Sequence, residues 1–569
     1  MKDWLFLEIN TQSTLMTEAT GNSETTTTTT PRDRITNSDS VDPLSSESAQ
    51  FYDAHDALEA DGVYATAVQK VQSQRLETEH RQDNVPGTST TTTVPQGDVK
   101  GEKHEDQHDT QSLTIKERYH EYFKMIPQFF FVYLQVFCIF LGFLSMYWGS
   151  IYHRDQRYRN VGYLVVNEDS QFQVPNVSGS ASSSTVEPYL GNAMLNMLTN
   201  NKTIENLGDF QIVNLTDFTQ LAKKHNNTIL EEVQRQVHHQ KYWGAIYIAP
   251  NSTQNIYQGF STGNASYMQN VNQSITVVYE TGRHFSALSQ YLNRNLNLVS
   301  EAWIRDYASS QVYQPILGQL NSTQREYLLS NNQTIAIFTT LPTFNFIDQR
   351  PSPSPAVLGP SEIQLIYCLI ISFYSYNFSK DIYAYMRKKI KYRSYLFYKF
   401  LISQLHAFVL ALVYSLMAIA FQIPTSVAFG KSGFLVLWMF IFLYISATGV
   451  INEVVVLIIL TFGKQQLIAP WMVFNIVANV STTFAPFVLT PGFFRFGYAL
   501  PMYNAYEAVK VVFFDTWKGH LGRNLGVLII WIVVGNVSLL FVSHWSTQRA
   551  KKIALAEKQK KKEQQQVDK

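Results

Sequence analysis

From Glu362 to Trp545 the chain is a succession of long apolar runs separated by short polar breaks. Five such runs occur there, at 363–378, 396–423, 433–460, 467–489 and 525–541, and a sixth lies upstream at 128–147. Each approaches the roughly twenty apolar residues that a bilayer core requires. Hydrocarbon offers no partner to an unpaired backbone N–H or C=O, so runs of this length must be helices, broken only where protein or water covers the break. The expected fold class is therefore a polytopic α-helical membrane protein with six spans.

Charge divides the chain unevenly. The first 126 residues hold 22 acidic and 11 basic residues, a balance of −11, which leaves +12 on the remainder to reach the total of +1. Residues 1–112 are rich in Thr, Ser and acidic groups, with threonine runs at 25–30 and 90–93 and almost no apolar periodicity. Such a segment cannot bury enough surface to offset its ordering entropy and is expected to be a disordered acidic tail, either a solvated spacer or a regulatory one. Met1 to Asn10 carries too short an apolar stretch for a cleaved signal sequence, so the first span is expected to direct insertion. Between 113 and 127, charged residues interleave with Tyr119, Tyr122, Phe123 and Met125 up to Pro127. This pattern fits a juxtamembrane amphipathic helix or a helical extension of the span. The two cysteines, Cys138 and Cys368, both fall inside expected spans, so no disulfide staples a soluble part.

The segment 149–361 contains no further span but nine Asn-x-Ser/Thr sequons: Asn176, Asn201, Asn214, Asn226, Asn251, Asn264, Asn272, Asn321 and Asn332. The Ser/Thr-rich tail has none. The contrast predicts a glycosylated extracytoplasmic segment opposite a cytosolic tail. Residues 161–166, 245–248 and 275–279 read as buried strands, and 285–306 has helical spacing through Leu288, Leu292, Leu296 and Ile304. An α+β domain inserted between spans one and two follows. The stretch 178–185 reads as a flexible loop, and 351–360, with its alternating prolines, as a stiff tether back to the membrane.

Lys380, Arg387, Lys388, Lys389, Lys391 and Arg393 lie between spans two and three, and Arg549, Lys551, Lys552 and the lysines of 558–562 follow the last span. Positive loops remain cytosolic, so six spans place both termini in the cytosol. Sequons at Asn377, Asn479 and Asn536 fall within spans and should stay unmodified. Between spans five and six, the break Thr490-Pro-Gly-Phe-Phe494 opens a charged aromatic segment, 490–522, that carries Arg495, Pro501, Asn504 and Glu507. It reads as an outer re-entrant or surface-lying hairpin rather than a seventh span.

Four pieces together resemble one family: Tyr147-Trp-Gly-Ser-Ile-Tyr, Gly162-Tyr-Leu-Val-Val-Asn-Glu-Asp169, Tyr242-Trp-Gly-Ala-Ile-Tyr-Ile-Ala-Pro250 and Phe494-Arg-Phe-Gly-Tyr-Ala-Leu-Pro-Met-Tyr-Asn504. They are similar to the fungal nitrosoguanidine-resistance membrane proteins, themselves distantly similar to phage-infection-type proteins and to type-2 ABC exporter permeases. The resemblance covers about residues 120–545. It implies a six-span protein with a large extracytoplasmic domain after span one, a role in resistance to a toxic alkylating compound, and no assigned site residues.

Ionisable groups within lipid are costly and face a bundle interior or a water path. Asn452 and Glu453 interrupt the fourth span, and Glu453 is the sharpest candidate, as a proton acceptor, a contact for a cationic substrate, or a group that fixes helix packing. His406 is placed to shuttle a proton or to donate in packing. Lys399, one turn inside its span, is expected to snorkel to the interface.

No phosphate-cradling glycine loop is present: Gly430-Lys431-Ser432 has Thr425 where the first glycine should stand. Zinc-protease and serine-hydrolase motifs are missing, and the neighbours His238 and His239 lack the spacing of a metal site. The expectation is a permease-like protein, not an enzyme, with no cofactor, metal or nucleic acid. Its expected partners are membrane lipids, a small toxicant, and a second copy or an ATPase subunit. The alternative is a non-transporting membrane organiser affecting lipid distribution or protein sorting. Plasma membrane is the first expected location and endoplasmic reticulum the second.

Overall fold

Val161, Tyr163 and Val165 point to one side of a strand and Leu164 and Val166 to the other, and every one of them is buried, so this strand needs cover on both faces. The computed structural model, which describes residues 115–175, 183–330 and 337–567, supplies that cover. The acidic tail, Asn176, Asn332 and the first part of the 178–185 loop lie outside the described residues.

The strand is β1 (Gly162–Asn167), followed by a two-stranded antiparallel pair, β2 (Phe172–Pro175) and β3 (Ser183–Val186). Three more strands, β4 (Asp209–Ile212), β5 (Gly244–Ile248) and β6 (Ile275–Tyr279), and finally β7 (Phe344–Asp348), join β1 in a five-stranded sheet of order β4-β1-β5-β6-β7. All its pairings are parallel except β5 with β6. One face packs on α1 (Tyr189–Asn200) and on a long irregular helix running from Phe285 to Gln319, in a core that includes Val165, Ile246, Val277, Met194 and Trp303. The other face packs on α2 (Leu215–Lys224) and α3 (Ile229–His238) through Leu164, Tyr247, Phe218 and Val233. The domain is thus a helix-sheet-helix sandwich with a mixed, mainly parallel sheet, where segregated α+β was expected.

The expected strands at 161–166, 245–248 and 275–279 are present as β1, β5 and β6. The edge strands β4 and β7 were missed because an edge buries only part of its pattern, as in β4 where no residue is fully buried. The helix expected at 285–306 continues to Gln319, with π-helical turns at Leu288–Leu292 and Trp303–Tyr313. Part of the expected flexible loop pairs as β3.

Among the described residues five helices are long and apolar enough to cross a membrane: Met125–Ile151, Pro355–Tyr374, Tyr392–Ala420, Gly430–Thr461 and Lys518–Ile553. The helix containing the first begins at Ile115 and runs through Pro127 without ending, so the juxtamembrane stretch is an extension of the span. The later ones belong to α4 (Gln364–Lys389), α5 (Tyr392–Ala420), α6 (Gly433–Thr461) and, after two shorter helices, to the 47-residue Leu521–Val567. Those shorter helices are α7 (Ile468–Thr483) and α8 (Pro501–Phe514); the long last helix is α9. At 16 residues α7 is about 24 Å long, less than a full hydrocarbon crossing. The expected fifth span, 467–489, therefore stops being helical six residues early, where the chain turns at Ala485-Pro486.

Helix α6 is the hub, packed against α4, α5, α8 and α9. Burial decides how two segments sit here. The proline-rich tether does not stand off: Pro355–Val357 and Gly359–Ile363 wind into helical turns, Val357 and Pro360 are buried, and Tyr414 donates to the Pro360 carbonyl. The 490–522 segment, expected to be re-entrant or surface-lying, is buried along its helix. Twelve of the fourteen residues of α8 are buried, because the helix is wedged between the bundle and the sheet domain. Gly282 and Phe514 meet so closely that a Cβ on Gly282 would sit 2.4 Å from that of Phe514.

Candidate functional site: a polar column leading to a cationic cleft

Three groups of polar side chains lie in the bundle and at its junction with the sheet domain. The first is an ion pair. Lys399 of α5 meets Glu453 of α6, both with side chains only 7% exposed. Each sits well inside its helix, Lys399 about 10 Å from the start of α5 and Glu453 about 12 Å from the end of α6. Lys399 does not snorkel; a carboxylate within reach holds it inside, with the Tyr383 ring 5.6 Å away. Nothing local signals this pair, because its partners are 54 residues apart.

The second group is a column built on asparagines. Asn452 donates to Ser372 of α4 at 3.3 Å and accepts from Trp471 at 3.2 Å and Asn475 at 2.8 Å, both on α7. One turn on, Asn479 donates to the Asn475 Oδ1 at 2.9 Å, and its own Oδ1 accepts from the Met502 backbone at the start of α8. Asn residues at 475 and 479 share a face of α7, which their i, i+4 spacing enforces. Asn479 was read only as an unusable sequon; it is a buried structural link.

The column continues into the sheet domain. Thr483 is the last residue of α7 and its carbonyl accepts from His284 Nε2 at 3.2 Å. His284 Nδ1 faces the Ala287 N–H and, at 3.4 Å, the Tyr506 hydroxyl. The ring is therefore held as the neutral Nε2–H tautomer, and burial together with nearby Lys510 pushes its pKa down to about 3. Tyr506 also lies 3.2 Å from Glu362, which accepts from Ser286 at 2.5 Å.

Beside His284 opens the third group, a cleft of about 280 Å³. It is walled by Trp243 and Arg283 of the sheet domain, the 483–488 turn, Tyr498, Tyr503, Glu507 and Lys510 of the hairpin, and His520 and Arg523 at the head of α9. Pro501 supplies an N1 residue with its φ pre-set for α8. Asn504 ties the preceding turn through bonds to the Tyr498 and Leu500 carbonyls at 2.9 and 2.8 Å. Arg283 lies 3.8 Å over the Trp243 ring and donates to the Gln240 and Tyr242 carbonyls; burial lowers its pKa to about 10, still charged at neutral pH. Lys510 pairs with Glu507 at 2.7 Å.

Of the residues singled out in the sequence, Asn452 belongs to the column, Glu453 to the ion pair, and Glu507 to the cleft wall. His406 is half-buried on α5 and Arg495 is exposed, and among the described residues neither makes a hydrogen bond. Residues Lys399, Asn475, His284, Arg283, Lys510 and Arg523 were missed as site members. His238 is not idle: its Nδ1 lies 2.8 Å from buried Glu280, while His239 stacks on Trp517. Among the described residues no cluster of His, Cys, Asp and Glu could hold a metal ion. Of the seven described sequons in the domain, Asn214, Asn226, Asn251, Asn264 and Asn272 are exposed. Asn201, Asn214 and Asn264 also cap short helices, accepting from the residue two positions on. Capping alone therefore accounts for part of the sequon pattern.

A family model described as a protein of unknown function, DUF3533, matches residues 132–537. The chain belongs to the DUF3533 family. The match takes in the sheet domain and the apolar bundle, and ends inside α9. An uncharacterized endoplasmic reticulum membrane protein of Saccharomyces cerevisiae is 28% identical over 437 residues, which cover 76% of this chain and 82% of the yeast protein. No solved structure matches. With its five candidate spans, this member of DUF3533 is a multi-pass helical membrane protein.

Proposed function

We propose that this DUF3533 protein is a permease-like membrane protein that exports, or confers resistance to, small toxic compounds such as nitrosoguanidine. The observation that carries the reading is the polar column from Asn452 through Asn475 and Asn479 to His284, which ends at an open cleft. Polar groups within a bilayer-sized bundle either link helices or line a solute path, and the open cleft at the end of this column favours the path. In this reading α7 and the 484–489 turn together make the fifth of six crossings, both termini are cytosolic, and the sheet domain with its sequons faces the lumen. The yeast relative's description supports the endoplasmic reticulum as the location, ahead of the plasma membrane. Lys399 already neutralises Glu453, so a proton-coupling role for Glu453 requires that the pair open.

The test is efflux of labelled nitrosoguanidine from vesicles containing the purified chain, with and without a proton gradient or ATP. Transport by the native chain and its loss in Asn475→Leu, at unchanged folded fraction, is the expected result. Flux equal to that of empty vesicles would replace export by the second reading, a non-transporting organiser of membrane lipid. That second reading has its own support in the cationic, aromatic cleft beside the end of an apolar helix.

A further inference from the structure

We propose that the cleft between the sheet domain and α8 is a phosphate-group site, and that its occupant is the headgroup phosphate of a membrane phospholipid. Three permanent cations, Arg283, Lys510 and Arg523, and one carboxylate, Glu507, line it. Lys510 and Glu507 neutralise each other at 2.7 Å, so the charge left to face a ligand is that of the two guanidinium groups.

The two arginines are prepared differently. Arg283 is half-buried and locked: two carbonyls and the Trp243 face fix its plane, and three of its five N–H donors make no hydrogen bond among the described residues. Arg523 is exposed and lightly held, with Asn524 Oδ1 at 3.3 Å and the Tyr498 ring at 5.5 Å, and with no carboxylate in ion-pair range among the described residues. A fixed fork opposite an adjustable one suits a tetrahedral oxyanion, whose oxygens can be bridged by two guanidinium groups. A bare electrostatic patch would place both on mobile side chains.

Position decides between a lipid phosphate and a free one. Arg523 stands two residues before Leu525, where the apolar run of the last span begins, so the cleft lies at the depth of a headgroup. Tyr498, Tyr503 and Trp243 give it the amphipathic rings found at that depth. The hairpin is pinned there by Trp531, which donates to the Ala499 carbonyl at 2.6 Å. This inference does not depend on whether any solute crosses the bundle.

The experiment uses the purified full chain in maltoside micelles, stripped of lipid, with binding read by native mass spectrometry and Trp fluorescence. Probes are a short-chain phosphatidic acid, the matching diacylglycerol and inorganic phosphate alone. Phosphatidic acid is expected to bind, diacylglycerol not, and inorganic phosphate only weakly. Arg523→Gln should weaken phosphatidic acid binding by about tenfold or more, and Arg523→Lys by less, since lysine keeps the charge but loses the fork. Arg523 is exposed, so both variants should retain the native melting curve, which is measured alongside. Equal binding of diacylglycerol, or phosphatidic acid binding unchanged in Arg523→Gln, overturns the site. Inorganic phosphate binding as tightly as phosphatidic acid overturns the lipid as its occupant.

Discussion

The sheet domain and the membrane bundle hide their interiors in opposite ways. In the domain the centre is apolar: Val165, Ile246, Val277, Leu292 and Trp303 fill one side of the sheet. In the bundle the surface is apolar, as Phe400, Leu405, Val409, Leu416 and Ile530 show, and the polar groups are enclosed. Water expels apolar side chains inward in the first case. Lipid exerts no such force, and helices there are held by packing and by polar links. The consequence is that the domain's core resists substitution by volume, whereas the bundle's core resists it by pairing.

The sharpest way to break that comparison is Glu453→Gln, which leaves the Lys399 ammonium enclosed without a counter-charge. Removing one partner of a buried pair costs about 3–5 kcal/mol. The double variant Lys399→Met/Glu453→Met should recover most of the loss, as read by thermal unfolding in detergent. In the sheet, Ile246→Ala empties a site with 0% exposure and should cost about 2–5 kcal/mol, and no second charge change should restore it. If the double variant in the bundle is no better than the single one, the two interiors obey one rule and the contrast fails.

A smaller effect belongs to the seam between the regions. His284 is held neutral with its pKa near 3, below the unfolded value of about 6.5. Below pH 6.5 the unfolded chain takes up a proton that the folded chain refuses, so this contribution to stability is present at neutral pH and declines as pH falls. At pH 5 the loss is roughly 2 kcal/mol. His284→Gln, which keeps a donor for the Thr483 carbonyl, should flatten that part of the stability profile between pH 6.5 and 5.

How much of this was legible depended on whether the signal was local. The spans at 396–423 and 433–460 match α5 and α6 to within a few residues, since uninterrupted hydropathy needs no partner to be read. Central strands showed themselves because both faces are buried, while β4 and β7 did not. Charge in α8 suggested a re-entrant or surface-lying piece, and Glu507 and Lys510 satisfy each other three residues apart, which lets the helix be buried. The cleft was beyond reach from sequence: Arg283 and Arg523 come together only through the fold, across 240 residues. Lys399 illustrates the same limit, since snorkelling is the right default for a lysine near a span end until a carboxylate on another helix is known to face it.

Under the proposed function the enclosed asparagine column is a water-reachable route rather than dry packing. Its most direct measurement is thiol accessibility at position 475, with Cys138 and Cys368 replaced by Ala and the chain in sealed vesicles. Asn475→Cys should react with a small, charged, water-soluble thiosulfonate reagent, and nitrosoguanidine in excess should slow that reaction, while the lipid-facing control Leu416→Cys stays inert. A thiol at 475 as unreactive as the one at 416 would mean dry packing and no route.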